Sequence, residues 1–584
     1  MKRPQRIRWL WLLAALAAIA ALAFAACGDD GEGDGETPAA GETPAEGETP
    51  APSGERIQGG ELTLATVEGD ALDPHFSSFA SDISLERMLW RGLYSLDANN
   101  EPQPSMAAAL PDISEDGTVY TITLQEGLLW SDGDDLLAED FVMGMLRTCN
   151  PDNAGEYQYV LTNIAGCDDH YGSEAGFDAD LENLVSVKAL DDTTIEITIA
   201  EPQPTFTIIL SLWMTFPAPV HLFPNSSDPW PEPGPDAPDQ LAYNGPYVLT
   251  AYTPGDSATL APNPNWAAPN GISPTLDSII LRFIDDFAVS TNAYRTGEVD
   301  FTNADEATLT AAIDEFEPTG EYVRVVFPGT VGLEMQMTDP ILGDPDTGLD
   351  TRLSLIRAVD HPQLNEVCFG GGRVPTTSWV PEVSGGAAPD AYVDVIGFDE
   401  AAAQQHLADA GYPGGEGFPT LSILVRDNPS SECQAEFLQE SFRTILGIET
   451  EIEVVDGPTR SARFTSEDFQ LFPGGWIQDY PDPENWILGL FETGGSLNNY
   501  NCSDPEIDDL VELARFNTNN EERLQQYKEI NELIVTRVCG IGLGLHLANH
   551  YLIKPSTVGL AENARGLDAV IAGDWIAEAW GVSE

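Results

Sequence analysis

Between residues 399 and 472 the sequence alternates between helical and strand patterns, and this alternation restricts the fold more than any other feature. Asp399 begins a helix that ends at Gly411 and carries apolar side chains on one face. The segments that follow are a strand, a helix and two further strands: Leu421–Val425, Cys433–Leu446, Ile448–Val455 and Phe469–Phe472. Strands that alternate with helices predict an α/β architecture.

The last of these strands leads into residues 474–486, Gly-Gly-Trp-Ile-Gln-Asp-Tyr-Pro-Asp-Pro-Glu-Asn-Trp. The glycines allow close approach of a backbone. Aromatic rings and prolines surround the acid Asp479: Trp476, Tyr480, Trp486, Pro481 and Pro483. A rigid loop with apolar walls and one carboxylate predicts a pocket for a small cationic or peptide-like ligand. The alternative is a Pro/Asp turn after a buried strand.

Residues 1–26 have the pattern of a targeting signal, because a basic start precedes the apolar run from Trp9 to Ala26. Small residues before Cys27 resemble a bacterial lipoprotein cleavage box, so we expect lipid attachment at Cys27. An uncleaved signal anchor is the alternative, and both place the remainder outside the cytoplasm. Residues 27–57 repeat Gly-Glu-Thr-Pro, which predicts an extended acidic tether.

The chain has 584 residues, a length that predicts about two to four domains. Its formal net charge of −71 repels nucleic acid, so we expect no nucleic-acid partner. Seven cysteines suit an oxidising compartment, one for lipid and the rest as disulfide candidates, with Cys149 and Cys167 the first pair expected. The other candidates are Cys368, Cys433, Cys502 and Cys539.

Several separate blocks resemble the family 5 extracellular solute-binding proteins of ABC importers, the oligopeptide- and dipeptide-binding group. They include Leu72-Asp73-Pro74, Gly92-Leu93-Tyr94, Ser114-Glu115-Asp116-Gly117-Thr118, Trp130-Ser131-Asp132-Gly133 and Asn244-Gly245-Pro246-Tyr247. The resemblance continues past residue 545 and implies a two-lobed periplasmic-binding-protein type II fold with a subdomain inserted in lobe I. The expected divisions are lobe I at 58–98, 239–330 and 546–584, the inserted subdomain at 99–238, and lobe II at 331–545.

The resemblance also implies site residues. Gly475, Trp476, Asp479 and Tyr480 match a step at which peptide-binding relatives hold the ligand's α-ammonium on the Asp, a charge-assisted hydrogen bond. The alternative is that Asp479 only caps the following turn. Ser78, Phe79 and Ala80 are expected to line the opposite wall, and the alternative for them is a solvent-facing loop.

One position departs from the pattern of these relatives. Some oligopeptide binders have an arginine for the ligand carboxylate where this chain has Pro473. Arg373 and Arg426 are candidate replacements because both fall in the predicted lobe II, and each is also explained as a surface charge.

His546 and His550 have the spacing of metal ligands on a helix. The alternating pattern from Ile541 to Ile553 instead predicts a strand, on which they lie about 13 Å apart, so we expect no metal site and no cofactor. The chain has no nucleophile elbow, His-Glu-x-x-His motif or phosphate loop, and we expect no enzymatic activity.

Together these features predict a monomeric, lipid-anchored extracytoplasmic receptor that captures peptides between two lobes and delivers them to an ABC permease. A receptor of the same fold for a non-peptide solute, such as an oligosaccharide or a nickel or other metal complex, is the first alternative. A secreted hydrolase is the second.

Overall fold

The computed structural model of the protein describes residues 55–97, 100–173, 175–304, 306–566 and 575–583. The predicted signal segment, Cys27 and most of the predicted tether lie outside the described residues. Among the described helices, none has the length and apolar character needed to cross a membrane.

The strands in chain order are β1 (Glu61–Thr66), β2 (Tyr94–Leu96), β3 (Pro102–Pro104), β4 (Asp112–Ile113), β5 (Val119–Thr123), β6 (Val187–Asp191), β7 (Thr194–Thr198), β8 (Tyr247–Thr253), β9 (Ser257–Pro262), β10 (Ser278–Phe283), β11 (Phe301–Asn303), β12 (Tyr322–Met335), β13 (Val374–Pro375), β14 (Leu421–Arg426), β15 (Thr450–Val455), β16 (Leu471–Ile477), β17 (Ile541–Ile553), β18 (Thr557–Val558) and β19 (Gly581–Val582). An 11-stranded sheet has the order β15-β14-β16-β12-β17-β11-β1-β10-β9-β8, with β13 beside β17. A separate four-stranded sheet, β4-β5-β7-β6, lies within the range of the predicted subdomain.

The α-helices are α1 (Ala80–Leu89), α2 (Ala138–Thr148), α3 (Cys167–Tyr171), α4 (Ala179–Glu182), α5 (Phe206–Ile209), α6 (Phe287–Thr296), α7 (Leu309–Phe316), α8 (Gly348–Arg357), α9 (His361–Phe369), α10 (Val393–Ile396), α11 (Glu400–Asp409), α12 (Pro429–Ser441), α13 (Gly457–Thr465), α14 (Pro505–Arg515), α15 (Asn520–Arg537) and α16 (Leu560–Arg565). The predicted α/β architecture is confirmed.

Two large hydrophobic cores lie along the main sheet. The first core contains Trp90, Trp130 and Tyr247, and it gathers residues from both ends of the described chain. The second core contains Trp379 and Phe491 and draws on residues 333–545. Burying these large aromatic side chains supplies much of the hydrophobic driving force of each half.

Strands β12 and β17 connect the two cores. Val325 of β12 packs in the first core and Leu333 in the second. Between them the β12–β17 register shifts from Val326 to Thr330, an irregularity that bends paired strands. The long strands therefore cross from one half of the molecule to the other at a local break in their pairing.

The helix starts follow the chemistry of their first residues. The Asp399 side chain accepts a hydrogen bond from the N–H of Ala402, and Asp504 accepts one from Glu506, as expected of N-caps. Helix α15 begins at Asn520, with Asn519 in the N-cap position. The predicted strand Phe469–Phe472 is displaced along the chain: β16 begins at Leu471, two residues later than predicted, and pairing with β12 extends it to Ile477.

The pairing of Cys149 with Cys167 is confirmed. Disulfides also join Cys368 to Cys433 and Cys502 to Cys539, so the predicted candidates are all used. The first bridge fixes α3 to the end of α2 next to the first core, and the others lie in the second half of the chain. Each shortens the loops of the unfolded chain and thereby stabilises the fold.

Candidate functional site

Strand β16 carries the chain into the loop that holds Asp479. It pairs antiparallel with β12 from Met335↔Leu471 to Gly329↔Ile477. A Cβ on Gly475 would lie 2.0 Å from the carbonyl oxygen of Thr330, closer than any side chain allows. The close backbone approach predicted for Gly475 is therefore made by its neighbouring strand.

The carboxylate of Asp479 lies where the two halves of the molecule meet. Tyr157 donates a hydrogen bond to its Oδ1 at 2.9 Å, and Tyr159 donates to Oδ2 at 3.4 Å. Both tyrosines come from a short 3-10 helix, Glu156–Leu161, and Tyr159 belongs to the first core. Asp479 itself follows β16, whose first residues, Leu471 and Phe472, pack in the second core. The two tyrosine hydrogen bonds therefore connect the first core to a loop that leaves the second.

Asn485 holds the loop in shape around the acid. Its side-chain amide donates to Asp479 Oδ2 at 2.9 Å, and its carbonyl oxygen accepts the Asp479 N–H at 2.8 Å. The same oxygen accepts the indole N–H of Trp476 at 3.2 Å. These reciprocal bonds fix the orientation of the carboxylate before any ligand arrives.

Burial raises the pKa of Asp479 to about 6, although hydrogen bonds from Asn485, Tyr157 and Tyr159 act in the opposite direction. Burial, and after it the nearby carboxylate, raises the pKa of both tyrosines well above the ordinary value, so their hydroxyls stay protonated donors. All the hydrogen-bond donors described for Asp479 are neutral. Above about pH 6 the site therefore contains a buried negative charge that no described cation contacts.

A second acid of the loop, Glu484, also bridges the two halves. It is fully buried, and Arg523, which pairs with Asp482, lies 3.9 Å away. Its carboxylate accepts hydrogen bonds from Gln203 at 3.0 Å, Thr205 at 2.8 Å, Tyr480 at 3.2 Å and Tyr527 at 3.3 Å. Glu484 is thus saturated with donors, whereas Asp479 has three.

The aromatic side chains of the loop differ in exposure. Tyr480 and Trp486 have no exposed surface: the first packs in the first core and the second packs edge to face against Trp379. Trp476 is only partly buried. In this conformation Trp476 alone of the three offers ring surface to a ligand, and the other two hold the loop between the cores.

Residues 78–80 are exposed or partly exposed at the start of α1. The indole N–H of Trp213 donates to the carbonyl oxygen of Ser77 at 2.9 Å, and its ring packs edge to face on Tyr157 at 4.7 Å. The described contacts thus connect this segment to Asp479 through Trp213 and Tyr157, and none joins residues 78–80 to Asp479 directly.

The two arginines expected as carboxylate partners have different surroundings. Arg373 is paired with Glu306 through two hydrogen bonds of 3.1 and 3.0 Å and packs over the ring of Phe369. Arg426 is exposed at the end of β14. Among the described contacts, neither touches the loop 474–486.

The sequence did not reveal that the guanidinium of Arg460 lies next to Pro473. It lies 3.8 Å from the ring centre of Phe472 and donates a 2.6 Å hydrogen bond to the Pro473 carbonyl. Arg460 is on α13, so the contact joins residues of different elements. No sequence motif marks it.

The prediction that His546 and His550 lie on a strand is confirmed. His546 Nδ1 is 2.9 Å from the Thr330 hydroxyl, and His550 Nδ1 is 2.7 Å from the Tyr322 hydroxyl. Burial lowers the pKa of each to about 4, so both are neutral at physiological pH. Their described contacts are those of core histidines on β17.

Two surface cavities, of about 390 and 350 Å³, lie elsewhere. The first is lined mainly by carboxylates, including Glu68, Asp70 and Asp285. The second combines Glu453 and Asp468 with Arg463. Neither includes a residue of the loop 474–486, where the two halves are in contact in this conformation.

A sequence model of the bacterial extracellular solute-binding proteins, family 5 (middle region), matches residues 101–498. The chain belongs to this family. The family resemblance expected from the sequence is thereby confirmed. Solute-binding proteins of this family are extracellular, which agrees with the predicted export of the chain.

Two curated relatives of this family 5 protein align over most of its length. The oligopeptide-binding protein OppA of Bacillus subtilis (strain 168) is 23% identical over 543 residues, which cover 90% of this chain and 92% of that protein. The probable deoxycholate-binding periplasmic protein YgiS of Escherichia coli (strain K12) is 26% identical over 450 residues, covering 76% and 80%.

Solved structures confirm the predicted type II periplasmic-binding-protein fold. The Escherichia coli murein tripeptide binding protein MppA superposes with a TM-score of 0.77 at 20% sequence identity, covering 91% of this chain and 99% of that one. At this identity the likeness concerns the fold. The site of this family 5 protein has to be argued from its own residues.

Proposed function

We propose that this family 5 protein is a peptide receptor in which Asp479 binds the α-ammonium of the ligand. The observation that carries the proposal is the chemistry around Asp479, a buried carboxylate whose described donors are all neutral. A buried negative charge without a cation favours a cationic partner, because a charge-assisted hydrogen bond recovers part of the cost of burial. An α-ammonium would replace a tyrosine donor or take the free acceptor position on Oδ1.

The edge of β16 supports an extended ligand. Strand β14 pairs with β16 only at Ile423↔Leu471, so residues 472–477 have a described strand partner on one side, β12. An extended peptide can add to such an edge through main-chain hydrogen bonds, which are independent of the peptide's side chains. Trp476, partly buried beside this edge, offers an apolar surface to the ligand. Ser78, Phe79 and Ala80 remain candidates for the facing wall.

The predicted role in transport completes the proposal. The signal pattern of residues 1–26 and the expected lipid on Cys27 would tether the receptor outside the cytoplasm. Ligand binding between the lobes would favour a closed form, which docks on an ABC permease. We expect a monomer, with lobe I at 58–98, 239–330 and 546–584, the inserted subdomain at 99–238 and lobe II at 331–545.

A non-peptide solute is the second candidate, because the name of one relative refers to deoxycholate. Native mass spectrometry of the purified protein, followed by denaturation and identification of the released molecule, distinguishes the two. Peptides with free amino ends support the proposal, and a bile acid, an oligosaccharide or a metal complex supports the alternative. The same sample, incubated with peptides and assayed for new termini, tests the hydrolase hypothesis.

Calorimetric titration tests the role of the ammonium directly. A peptide identified in the first experiment is compared with its N-acetylated form, which has the same side chains and no positive end. We expect acetylation to weaken binding at least tenfold. Equal dissociation constants would remove the α-ammonium from the recognition mechanism.

A further inference from the structure

Two aspartates and a histidine lie together on the surface, away from the loop 474–486. Asp132, Asp134 and His221 each offer one ligand atom, and these atoms lie within 4.8 Å of one another. His221 Nε2 is 2.8 Å from Asp132 Oδ2 and 3.7 Å from Asp134 Oδ2. In a tetrahedral zinc site, ligand atoms about 2.0–2.2 Å from the ion are roughly 3.3–3.6 Å apart. The two observed separations lie on either side of that value.

A single buried carboxylate holds in place both segments that carry these residues. Oδ2 of Asp140 accepts the indole N–H of Trp130 at 3.2 Å, and Oδ1 accepts the N–H of Val220 at 2.9 Å. Trp130 is two residues before Asp132, and Val220 immediately precedes His221. The ligands therefore approach one another on anchored backbone, as a metal site requires.

We propose that Asp132, Asp134 and His221 form a binding site for a divalent transition-metal ion, with Zn²⁺ the best fit. An imidazole nitrogen favours zinc and its neighbours over Ca²⁺ and Mg²⁺, which prefer oxygen ligands alone. Three protein ligands leave one tetrahedral position, and all three residues are exposed, so water completes the shell. The ion would link residues 130–134, which carry both aspartates, to residues 220–221, which carry the histidine. This site is independent of the peptide-binding proposal.

The competing explanation is an ordinary His–Asp ion pair, and the chain provides a matched control for it. His406 Nδ1 is 2.7 Å from a carboxylate oxygen of Asp350, and the two side chains are 28% and 36% exposed. Among the described ion pairs, Asp350 is the one carboxylate that His406 contacts. His221 has side-chain exposure of 25% and two carboxylates. If a histidine with a single carboxylate partner sufficed for metal binding, His221 and His406 would bind zinc equally well.

The test is calorimetric titration of ZnCl₂ into the full chain with its disulfides intact, in three forms: wild type, His221→Ala and His406→Ala. We expect one zinc ion per chain in the wild type, at least tenfold weaker binding in His221→Ala, and unchanged binding in His406→Ala. Cys27 is common to all three forms and does not affect the comparison. Circular dichroism establishes that each variant is folded.

A second variant and a second metal sharpen the result. Asp134→Asn keeps the His221–Asp132 pair and removes one charged ligand, so we expect weaker zinc binding with the pair intact. Co²⁺ should give the intense visible absorption of a tetrahedral site in the wild type and lose it in His221→Ala. Absence of zinc binding in the wild type, or equal affinity in wild type and His221→Ala, would overturn the proposal.

Discussion

The hydroxyl of Tyr157 donates a 2.9 Å hydrogen bond to the carboxylate of Asp479, although the two residues are 322 positions apart in the sequence. Tyr159 reaches the other oxygen from the same turn of helix. These bonds hold together the half of the molecule that contains the first core and the loop that leaves the second. Opening the molecule here would break both bonds and expose the acid, which in the proposed function then pairs with the ligand ammonium.

The first prediction concerns the charge of Asp479. Asp479→Asn should weaken binding of peptides with a free amino end at least tenfold, because a neutral amide cannot form the charge-assisted pair. Losing one partner of a buried pair costs ~3–5 kcal/mol, which exceeds a hundredfold in affinity. The melting temperature should change little, because removing a buried charge of raised pKa offsets the loss of one hydrogen-bond acceptor oxygen. The N-acetylated peptide is the control, and the wild type and Asp479→Asn should bind it equally weakly. Equal affinity of the two proteins for the peptide with a free amino end would refute the role of Asp479.

The second prediction concerns pH. Peptide affinity should fall as the pH decreases through about 6, because Asp479 then becomes protonated and loses its attraction for an ammonium. Tyr157→Phe removes a donor that lowers the pKa of Asp479, so the fall should begin at higher pH. Tyr159→Phe is the matched comparison. It should shift the pH at which affinity falls by less, because the Tyr159 hydrogen bond to Asp479 is longer, at 3.4 Å. Dissociation constants measured between about pH 4.5 and 8 decide this, and a flat profile in all three proteins contradicts it.

What the sequence predicted correctly depends on local chemistry. Asp399 begins a helix because its carboxylate accepts the free backbone N–H of Ala402, three residues further on, and this pattern is visible in the sequence. The tyrosines of 156–161 were missed because their contact with Asp479 depends on how two distant segments pack. For the same reason, sequence alone could not show that Tyr480 and Trp486 are buried: an aromatic side chain in a loop suits a pocket wall and a core equally well.

The third prediction concerns Gly475. Gly475→Ala should lower the free energy of unfolding by roughly 1–3 kcal/mol, the usual cost of overpacking, because the new Cβ meets the Thr330 carbonyl on β12. Urea denaturation measures the change. Gly234→Ala is the control, since its nearest neighbour would be 3.9 Å away and its backbone is outside the left-handed region. If both variants unfold at the same urea concentration, the β12–β16 contact is looser than described.

The last prediction concerns Glu334, an acid buried on β12 opposite Phe472. Burial raises its pKa to about 8, with Arg460 acting in the opposite direction, and its Oε2 has no hydrogen-bond partner among the described residues. A pKa raised on folding stabilises the protein while the acid is protonated, so this contribution should decline as the pH rises from about 4.5 to 8. Glu334→Gln stays neutral at every pH and should avoid the decline, and it should be more stable than the wild type at pH 9 by roughly 3–5 kcal/mol. Glu451→Gln, an exposed position on β15 of the same sheet, is the control and should follow the wild type. Parallel stability–pH curves for the wild type and Glu334→Gln would mean that the carboxylate is solvated or paired in solution.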